Sequence, residues 1–194
     1  MLEKILEWDK SLFLFLNGLH TAWLDPVMLL ATKTVVWIPL YLLLLFLAIK
    51  KFKKDTWIIL LAITITITLA DQITSGFMKP FFERLRPSHN TDLSSQIHLV
   101  DNYKGGLYGF ASSHAANTFA TAMFFFLVLR SSFSYIGLLF LWAGFMTYTR
   151  IYLGVHYPGD ILVGSLIGLL CGWGGFKIKS AIENQAAKYT TRKI

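Results

Sequence analysis

Three short clusters hold the residues whose types and spacing indicate chemistry on an anion. Lys79 and Arg86 are seven residues apart, so on a helix their directions differ by only about 20° and both can address one point. Ser112, Ser113 and His114 stand directly before an apolar run, where a serine caps a helix and the free N–H groups of the first turn suit phosphate. Taken alone, this second cluster is explained by capping.

The third cluster places Arg150, His156 and Asp160 around a Pro-Gly turn. The His and the Asp are four residues apart. An aspartate that accepts a hydrogen bond from one ring nitrogen fixes the histidine tautomer and leaves the other nitrogen as a base or nucleophile. The same spacing also fits a pair of metal ligands, so this cluster by itself leaves both kinds of site open.

The composition excludes most classes of soluble protein. The chain has 194 residues, of which 55% are hydrophobic and 15% are charged, whereas an ordinary soluble domain carries about 25% charged residues. This leaves too little polar surface for a water-soluble globule, and disorder requires low hydrophobicity and high charge. We therefore predict one integral membrane domain over residues 1–194. The single cysteine, Cys171, excludes an internal disulfide.

Five apolar stretches predict an all-α, polytopic bundle of about five transmembrane helices, because a span needs roughly 20 apolar residues. The stretches are residues 27–49, 57–78, 115–129, 133–149 and 161–176. Residues 63–68 alternate with the period of a strand, but a lone strand cannot satisfy its backbone in hydrocarbon. We expect a helix there, with Thr hydroxyls bonded to the preceding turn. Residues 2–19 suit an N-terminal amphipathic helix lying along the interface.

The positions of Lys and Arg predict the orientation in the membrane. Five spans place ten basic residues on one side, which the positive-inside rule makes cytoplasmic together with the C-terminus. These are Lys50, Lys51, Lys53, Lys54, Arg130, Lys177, Lys179, Lys188, Arg192 and Lys193. The opposite side holds Lys79, Arg84, Arg86 and Arg150, which the rule disfavours there. We interpret the net charge of +7 as an orientation signal plus an anion site, and not as a sign of a nucleic-acid partner.

Three further patterns bear on the site. Gly164, Gly168 and Gly172 recur every fourth residue of the last apolar stretch, a spacing that suits close helix packing. Residues 88–110 are polar and long for a connection, and we interpret them as a lid over the site. Asp71 is an ionisable residue near the end of an apolar stretch and is a functional candidate, which either pairs with a basic residue of the site or is solvated by water.

Taken together, the three clusters resemble the type 2 phosphatidic acid phosphatase superfamily of membrane lipid phosphatases, over about residues 71–172. Lys-x6-Arg-Pro at residues 79–87 and Arg-x5-His-x3-Asp at residues 150–160 match the family motifs. The second motif departs from the family, whose Pro-Ser-Gly-His reads Ala-Ser-Ser-His at residues 111–114. Thr149 likewise replaces the family's usual Ser before the Arg.

The resemblance implies a role for each matching residue. His156 attacks phosphorus and forms a phosphohistidine, Asp160 orients its ring, and His114 protonates the leaving oxygen. Backbone N–H groups near Ser113 help to hold the phosphate oxygens, together with the side chains of Lys79, Arg86, Ser112, Ser113 and Arg150. Water then cleaves the phosphohistidine, and no metal or cofactor is expected because side chains supply the cations.

We therefore expect a membrane lipid phosphatase similar to bacterial undecaprenyl-diphosphatases, in a bacterial inner membrane and with its site facing outward. Undecaprenyl diphosphate is the preferred substrate, followed by phosphatidylglycerol phosphate, phosphatidate and lipid A 1-phosphate. Three other functions stay open: a lipid phosphotransferase, a non-enzymatic anion transporter or channel, and a metallohydrolase with His114, His156 and Asp160 as ligands.

Overall fold

The computed structural model describes residues 1–191, and the regular elements in that range are helical. The α-helices are α1 (Leu2–Asn17), α2 (Asp25–Ala31), α3 (Ile38–Phe52), α4 (Thr56–Asp71), α5 (Lys79–Phe82), α6 (Ser113–Leu129), α7 (Leu139–Tyr152) and α8 (Pro158–Thr191). The all-α prediction is confirmed. Arg192 and Lys193, which contribute to the predicted orientation, lie outside the described residues.

The first predicted span, residues 27–49, is not a single helix. The backbone is extended at Lys33 (φ −79°, ψ 126°), between α2 and a short 3-10 turn that leads into α3. Two β-branched threonines flank Lys33, and such residues favour helices less than leucine does. Within residues 1–191, the helical stretches that are long and apolar enough to cross a membrane are Thr34–Phe82 and Pro158–Ala186. The count of five spans therefore stays a prediction.

The alternating segment at residues 63–68 is helical, as expected for hydrocarbon surroundings. It lies inside α4, where the Thr64 hydroxyl donates to the carbonyl of Leu60 at 2.8 Å and the Thr66 hydroxyl donates to that of Ala62 at 2.7 Å. Each hydroxyl finds its partner one turn back in its own helix. The hydroxyls of Thr64 and Thr66 are therefore satisfied within α4.

Helix α6 is the centre of the bundle and packs against α4, α7 and α8. Its apolar side chains join those of α3, α4 and α7 in the main core, which includes Leu44, Ile59, Phe124, Leu129 and Met146. Helix α6 begins at Ser113, next to His114. The start of the central helix therefore lies at the predicted site.

Glycines fit α8 closely against α6, as the four-residue spacing predicts. A Cβ atom at Gly164, Gly168 or Gly172 would meet backbone atoms of α6 or of the residue just before it: the carbonyl oxygens of Ser112, Ala116 and Ala120. Small residues allow two helix backbones to approach closely in a membrane. The same contact brings the Ser112 N–H to the carbonyl of Asp160 at 3.0 Å, so it aligns two of the motif segments.

Helix α1 has one face inside the protein and one face outside it. Phe13 and Asn17 are buried, and Asp9 lies on the same face because residues four apart share a side of a helix. Asn17 donates to the carbonyls of Ile151 and Tyr152 at 3.1 and 2.8 Å, which fastens α1 to the end of α7. The opposite face exposes apolar side chains: Ile5, Leu6, Trp8, Leu12 and Phe15. The amphipathic helix is confirmed, and its position at the membrane interface stays a prediction.

Candidate active site

Four helix ends bring the three sequence clusters to one place. Lys79 begins α5, the short helix that continues α4, and His114 lies in the first turn of α6. Arg150 lies in the last turn of α7, and Asp160 lies in the first turn of α8. The structure thus brings together residues that are as far as 81 positions apart in the chain.

His156 and Asp160 form a buried pair. The His156 Nδ1 and Asp160 Oδ2 atoms are 3.3 Å apart, and the two side chains are 1% and 0% exposed. Asp160 Oδ2 also accepts from the backbone N–H of Tyr157 at 3.0 Å, as the acidic residue of a helix capping box does. Since Asp160 occupies Nδ1, the Nε2 atom of His156 is the ring nitrogen left for chemistry.

The local sequence explains how His156 reaches Asp160. Helix α7 ends at Tyr152. Gly154, two residues later, has a φ of 74°, a left-handed conformation that glycine adopts without strain. The chain then turns back on itself, and the Val155 N–H donates to the Arg150 carbonyl at 3.0 Å. Pro158 begins α8, where its missing N–H costs nothing. The Gly-turn-Pro segment therefore holds His156 between two helix ends.

Lys79 is held against the second motif. Its Nζ donates to Ser113 Oγ at 2.9 Å and to Ser75 Oγ at 3.1 Å. Ser75 in turn donates to Asp71 at 3.3 Å, so Asp71 reaches Lys79 through a serine and not directly. A π-helix at Gln72–Met78 precedes Lys79. We attribute this wider turn to Pro80, which lacks an N–H for the carbonyl four residues earlier.

Ser112 and Ser113 lie where a bound anion would meet the first turn of α6. Ser112 is fully buried, and its Oγ accepts from the Ala115 N–H at 3.4 Å. This is the capping role that explains the serine without a ligand. The Ser112 hydroxyl hydrogen and the hydroxyl of Ser113 are donors as well, so both side chains can still take the predicted phosphate-binding role.

Arg86 is held by the long connection before α6. Its Nε donates to the Tyr108 carbonyl at 3.1 Å, while its backbone pairs with Leu107. Gly105 and Gly109 lie directly against it, since a Cβ atom at either position would come within 3.2 Å of an Arg86 side-chain atom. A Cβ at Gly109 would also lie 2.9 Å from Asp160 Oδ2. These contacts place residues 105–109 against Arg86, and the interpretation of residues 88–110 as a lid stays a prediction.

Arg150 is buried, with an exposed fraction of 2%, and neutral hydroxyls hold it. Its guanidinium donates to Thr32 Oγ1 and, at 3.1 Å, to Tyr103 Oη. Among the described residues, its Nε has no hydrogen-bond partner. A buried guanidinium nitrogen without a partner costs free energy, which an anionic ligand can recover.

The charges of the site are unbalanced. Within residues 1–191, Lys79, Arg86 and Arg150 make no ion pair with a carboxylate. Burial is the main cause that lowers the pKa of His156 well below 6.5, and nearby cations lower it further, beginning with Arg86 and Arg150. His156 is therefore a neutral imidazole at neutral pH, which is the form that attacks an electrophile.

Several contributors to the site escaped the sequence analysis. Arg84 donates to Asp160 Oδ1 at 2.7 Å and to Asp9 Oδ2 at 2.6 Å, although it was placed only on the outer face and in no motif. Thr32 and Tyr103 hold Arg150 from segments 118 and 47 residues away. No spacing rule marks such contacts, and the one available signal was Arg84 itself, a cation on the disfavoured side.

Two cavities meet at His114. One of about 490 Å³ lies between α3, α4 and α6, with a mostly apolar lining that includes Leu44, Ile63, Ile67 and Phe125. The other, of about 640 Å³, is lined by Lys33, Thr34, Asp101 and Tyr103, among others. His114 therefore lines both cavities, and the charged side chains of Lys33 and Asp101 line the second one.

The described residues contain no group of three or more His, Cys, Asp and Glu side chains placed to hold a metal ion. His114, His156 and Asp160, the ligands of the metallohydrolase alternative, therefore do not form such a group. His156 and Asp160 instead use each other and Arg84 as partners. Chelation is the direct test of the metallohydrolase alternative.

Comparisons with known proteins agree with this geometry. The model of the PAP2 superfamily matches residues 55–183. A lipid A 4'-phosphatase of Bacteroides thetaiotaomicron is 39% identical over 175 residues, covering 89% of this chain and 77% of that protein. An undecaprenyl-diphosphatase of Sulfolobus acidocaldarius is 27% identical over 182 residues, covering 92% of this chain and 82% of that protein.

A solved structure shares the fold. The crystal structure of a transmembrane PAP2 type phosphatidylglycerolphosphate phosphatase from Bacillus subtilis has a TM-score of 0.67 and 18% sequence identity, over 94% of this chain and 87% of that chain. The transmembrane fold is therefore the same, and all three motif clusters lie within the matched residues 55–183. The family resemblance read from the motifs is confirmed: the chain belongs to the PAP2 superfamily and is a membrane lipid phosphatase, a phosphoric monoester hydrolase.

Proposed function

We propose that the enzyme hydrolyses a lipid phosphate through a phosphohistidine on His156. The observation that carries this proposal is a buried, neutral His156 that Asp160 holds at Nδ1. Three of the cations around it, Lys79, Arg86 and Arg150, have no carboxylate partner within residues 1–191. Nε2 attacks phosphorus, the phosphorus–oxygen bond to the lipid breaks, and His114 protonates the leaving oxygen. Water then attacks the phosphohistidine, the phosphorus–nitrogen bond breaks, His114 takes a proton back, and phosphate leaves.

The phosphate oxygens are assigned to the cations and donors around His156. Lys79, Arg86 and Arg150 supply positive charge where negative charge develops in the transition state. Ser112, Ser113 and the N–H groups of the first turn of α6 supply further donors. A phosphate dianion beside His114 favours its protonated form, so substrate binding prepares this residue to act as the acid.

The cavities around His114 support a substrate with a long hydrocarbon tail. The apolar cavity between α3, α4 and α6 can hold a chain, while the cavity near Lys33 and Tyr103 can hold a polar headgroup. His114 at their junction would then face the bond between headgroup and phosphate. We infer a site that opens toward the outer side of a bacterial inner membrane, with the C-terminus in the cytoplasm.

Among lipid phosphates, a lipid A phosphate is the substrate that we favour. A lipid A 4'-phosphatase is 39% identical to this chain, while the undecaprenyl-diphosphatase is 27% identical. Undecaprenyl diphosphate, the preferred substrate of the sequence analysis, is our second candidate and rests on the more distant relative. The motif residues contact phosphate in either case, so the lipid has to be identified by assay.

The experiment is phosphate release by the purified enzyme from lipid A 4'-phosphate, undecaprenyl diphosphate, phosphatidylglycerol phosphate and phosphatidate, in detergent. We expect release to be fastest from lipid A and to be lost in His156→Ala, but not in His20→Ala, which changes an exposed histidine outside the site. Wild-type turnover by His156→Ala would refute the mechanism. Fastest release from undecaprenyl diphosphate would refute the substrate assignment alone.

The same preparation separates the remaining alternatives. Transfer of labelled phosphate from the enzyme to a lipid acceptor, in place of free phosphate, indicates a phosphotransferase. Loss of activity with EDTA and recovery with zinc indicates a metallohydrolase. Anion flux into liposomes that survives His156→Ala, with no phosphate release, indicates a transporter.

A further inference from the structure

Arg84 bridges two carboxylates from opposite ends of the chain. One terminal nitrogen donates to Asp160 Oδ1 at 2.7 Å, and the other donates to Asp9 Oδ2 at 2.6 Å. The guanidinium carbon lies 4.1 Å from the ring centroid of Tyr157, which fixes the plane of the fork from one side. A planar group with several fixed donors can hold two partners at set angles, which the single ammonium of a lysine cannot do.

Asp9 connects this bridge to the start of α8. Its second oxygen, Oδ1, accepts from the Gly159 N–H at 2.7 Å. The approach depends on glycine, because a Cβ atom at position 159 would lie 2.9 Å from Asp9 Oδ2. Helix α1 thus contributes one carboxylate that binds both Arg84 and the helix turn that carries Asp160.

The network is shielded from water. The side chains of Asp9 and Arg84 are 11% and 22% exposed, and that of Asp160 is 0% exposed. Exposed ion pairs contribute little because water and salt screen them. Hydrogen bonds to charged groups in a buried network are stronger and hold geometry more firmly.

We propose that Asp9 and Arg84 are positioning residues that hold the Asp160 carboxylate in the orientation that His156 requires. The proposal rests on the function proposed above. Asp160 uses Oδ1 for Arg84 and Oδ2 for His156 Nδ1 and the Tyr157 N–H. With Oδ1 fixed, the carboxylate cannot rotate away from the imidazole, so the ring stays in the tautomer and direction that point Nε2 at phosphorus.

The proposal predicts an effect on the chemical step and not on substrate binding. Asp9 and Asp160 each take one of the five N–H donors of Arg84. The two carboxylates also neutralise the charge that would otherwise attract a phosphate. Removing a partner that orients an active-site ligand typically costs about 10- to 100-fold. We expect kcat to fall by roughly that factor in Arg84→Gln and by less in Asp9→Asn, with KM within about twofold of wild type.

The test measures kcat and KM for Asp9→Asn, Arg84→Gln, Arg84→Lys and the double variant Asp9→Asn/Arg84→Gln. Glu7→Gln is the matched control, since Glu7 is an exposed acid on the same helix. Because Asp9 and Arg84 hold the same carboxylate, the loss of kcat in the double variant should be smaller than the product of the two single losses, a non-additivity that independent sites do not show. Arg84→Lys should have an intermediate kcat, because lysine keeps the positive charge but lacks the fixed pair of terminal nitrogens that donate to the two carboxylates.

Wild-type kcat in both Asp9→Asn and Arg84→Gln would overturn the inference, and so would a raised KM with unchanged kcat, which would place Arg84 on the substrate. If Arg84→Gln does not fold, Asp9→Asn and Arg84→Lys decide by the same criteria. His156→Ala keeps the two proposals apart. Activity in that variant refutes the proposed function, whereas an inactive His156→Ala beside fully active Asp9 and Arg84 variants refutes only the positioning role.

Discussion

Two identical substitutions in α8 should change stability in opposite directions. At Gly168, a Cβ atom would lie 3.0 Å from the backbone nitrogen of Ala120 and would meet the backbone carbonyl of Ala116 still more closely. Backbone of a central helix cannot move aside as a flexible side chain can. At Gly174, in the same helix, a Cβ atom would have nothing within 4 Å.

The magnitude follows from two terms. Alanine is favoured over glycine inside a helix by about 1 kcal/mol, and this gain applies at both positions. Overpacking of a tight contact costs about 1–3 kcal/mol, and this cost applies at Gly168 alone. Gly174→Ala should therefore stabilise the protein by up to about 1 kcal/mol, while Gly168→Ala should destabilise it by up to about 2 kcal/mol, the difference of the two terms.

The assay is denaturant or thermal unfolding of both variants in one detergent, with phosphate release as a second measurement. Activity should also fall in Gly168→Ala, because the contact between α6 and α8 brings Ser112 to Asp160. If both variants shift stability in the same direction by the same amount, the glycines do not act by allowing close approach, and the packing argument is wrong.

Three further predictions concern the site itself. The native state resists protonation of His156 because the pKa of this residue is lowered well below 6.5, whereas the unfolded chain binds the proton at about pH 6.5. Stability should therefore fall steadily as the pH drops below about 6.5, down to the much lower pH at which the native His156 is protonated; thermal unfolding should show a smaller fall in His156→Gln, and an equal fall would contradict this. Thr32→Val leaves a buried donor of Arg150 unpaired, a cost of about 1–3 kcal/mol, so kcat/KM should drop by roughly 10-fold, whereas an unchanged value would show that Thr32 does not orient Arg150. Lys79→Met should lower kcat/KM by about 100-fold and Ser113→Ala by less, as measured by phosphate release; equal losses would mean that the serine is as important as the cation.

The motif residues could be predicted to meet because each lies at the end of an apolar helix. Lys79, His114, Arg150 and Asp160 all follow or precede a stretch whose length and hydropathy are visible in the sequence. Antiparallel helices of similar length bring such ends to one side. The glycine spacing in α8 predicted close packing of that helix against a neighbour, and the structure shows that the neighbour is α6.

The partners of these residues could not be predicted in the same way. Thr32 lies at a helix break within residues 27–49, which hydropathy alone predicts to be a single span. Tyr103 lies in a connection that has no regular spacing of apolar residues. Asp9 is one of several charged residues in the amphipathic helix at residues 2–19, and its spacing does not distinguish it from the others. Contacts from such segments depend on how the chain folds back over the bundle. Sequence patterns indicate only regular elements, whose apolar residues recur at a fixed spacing.

The pairing of the cations separates structural roles from binding roles. All four basic residues, Lys79, Arg84, Arg86 and Arg150, belong to the side that the sequence predicts to face outward, where Lys and Arg are disfavoured. Arg84 is neutralised by Asp9 and Asp160, so its positive charge is balanced within the protein. The other three contact only hydroxyls and a carbonyl among the described residues, and their positive charge is left for a ligand. A phosphate is the group that balances it, which explains why the protein tolerates three partly buried cations beside a neutral histidine.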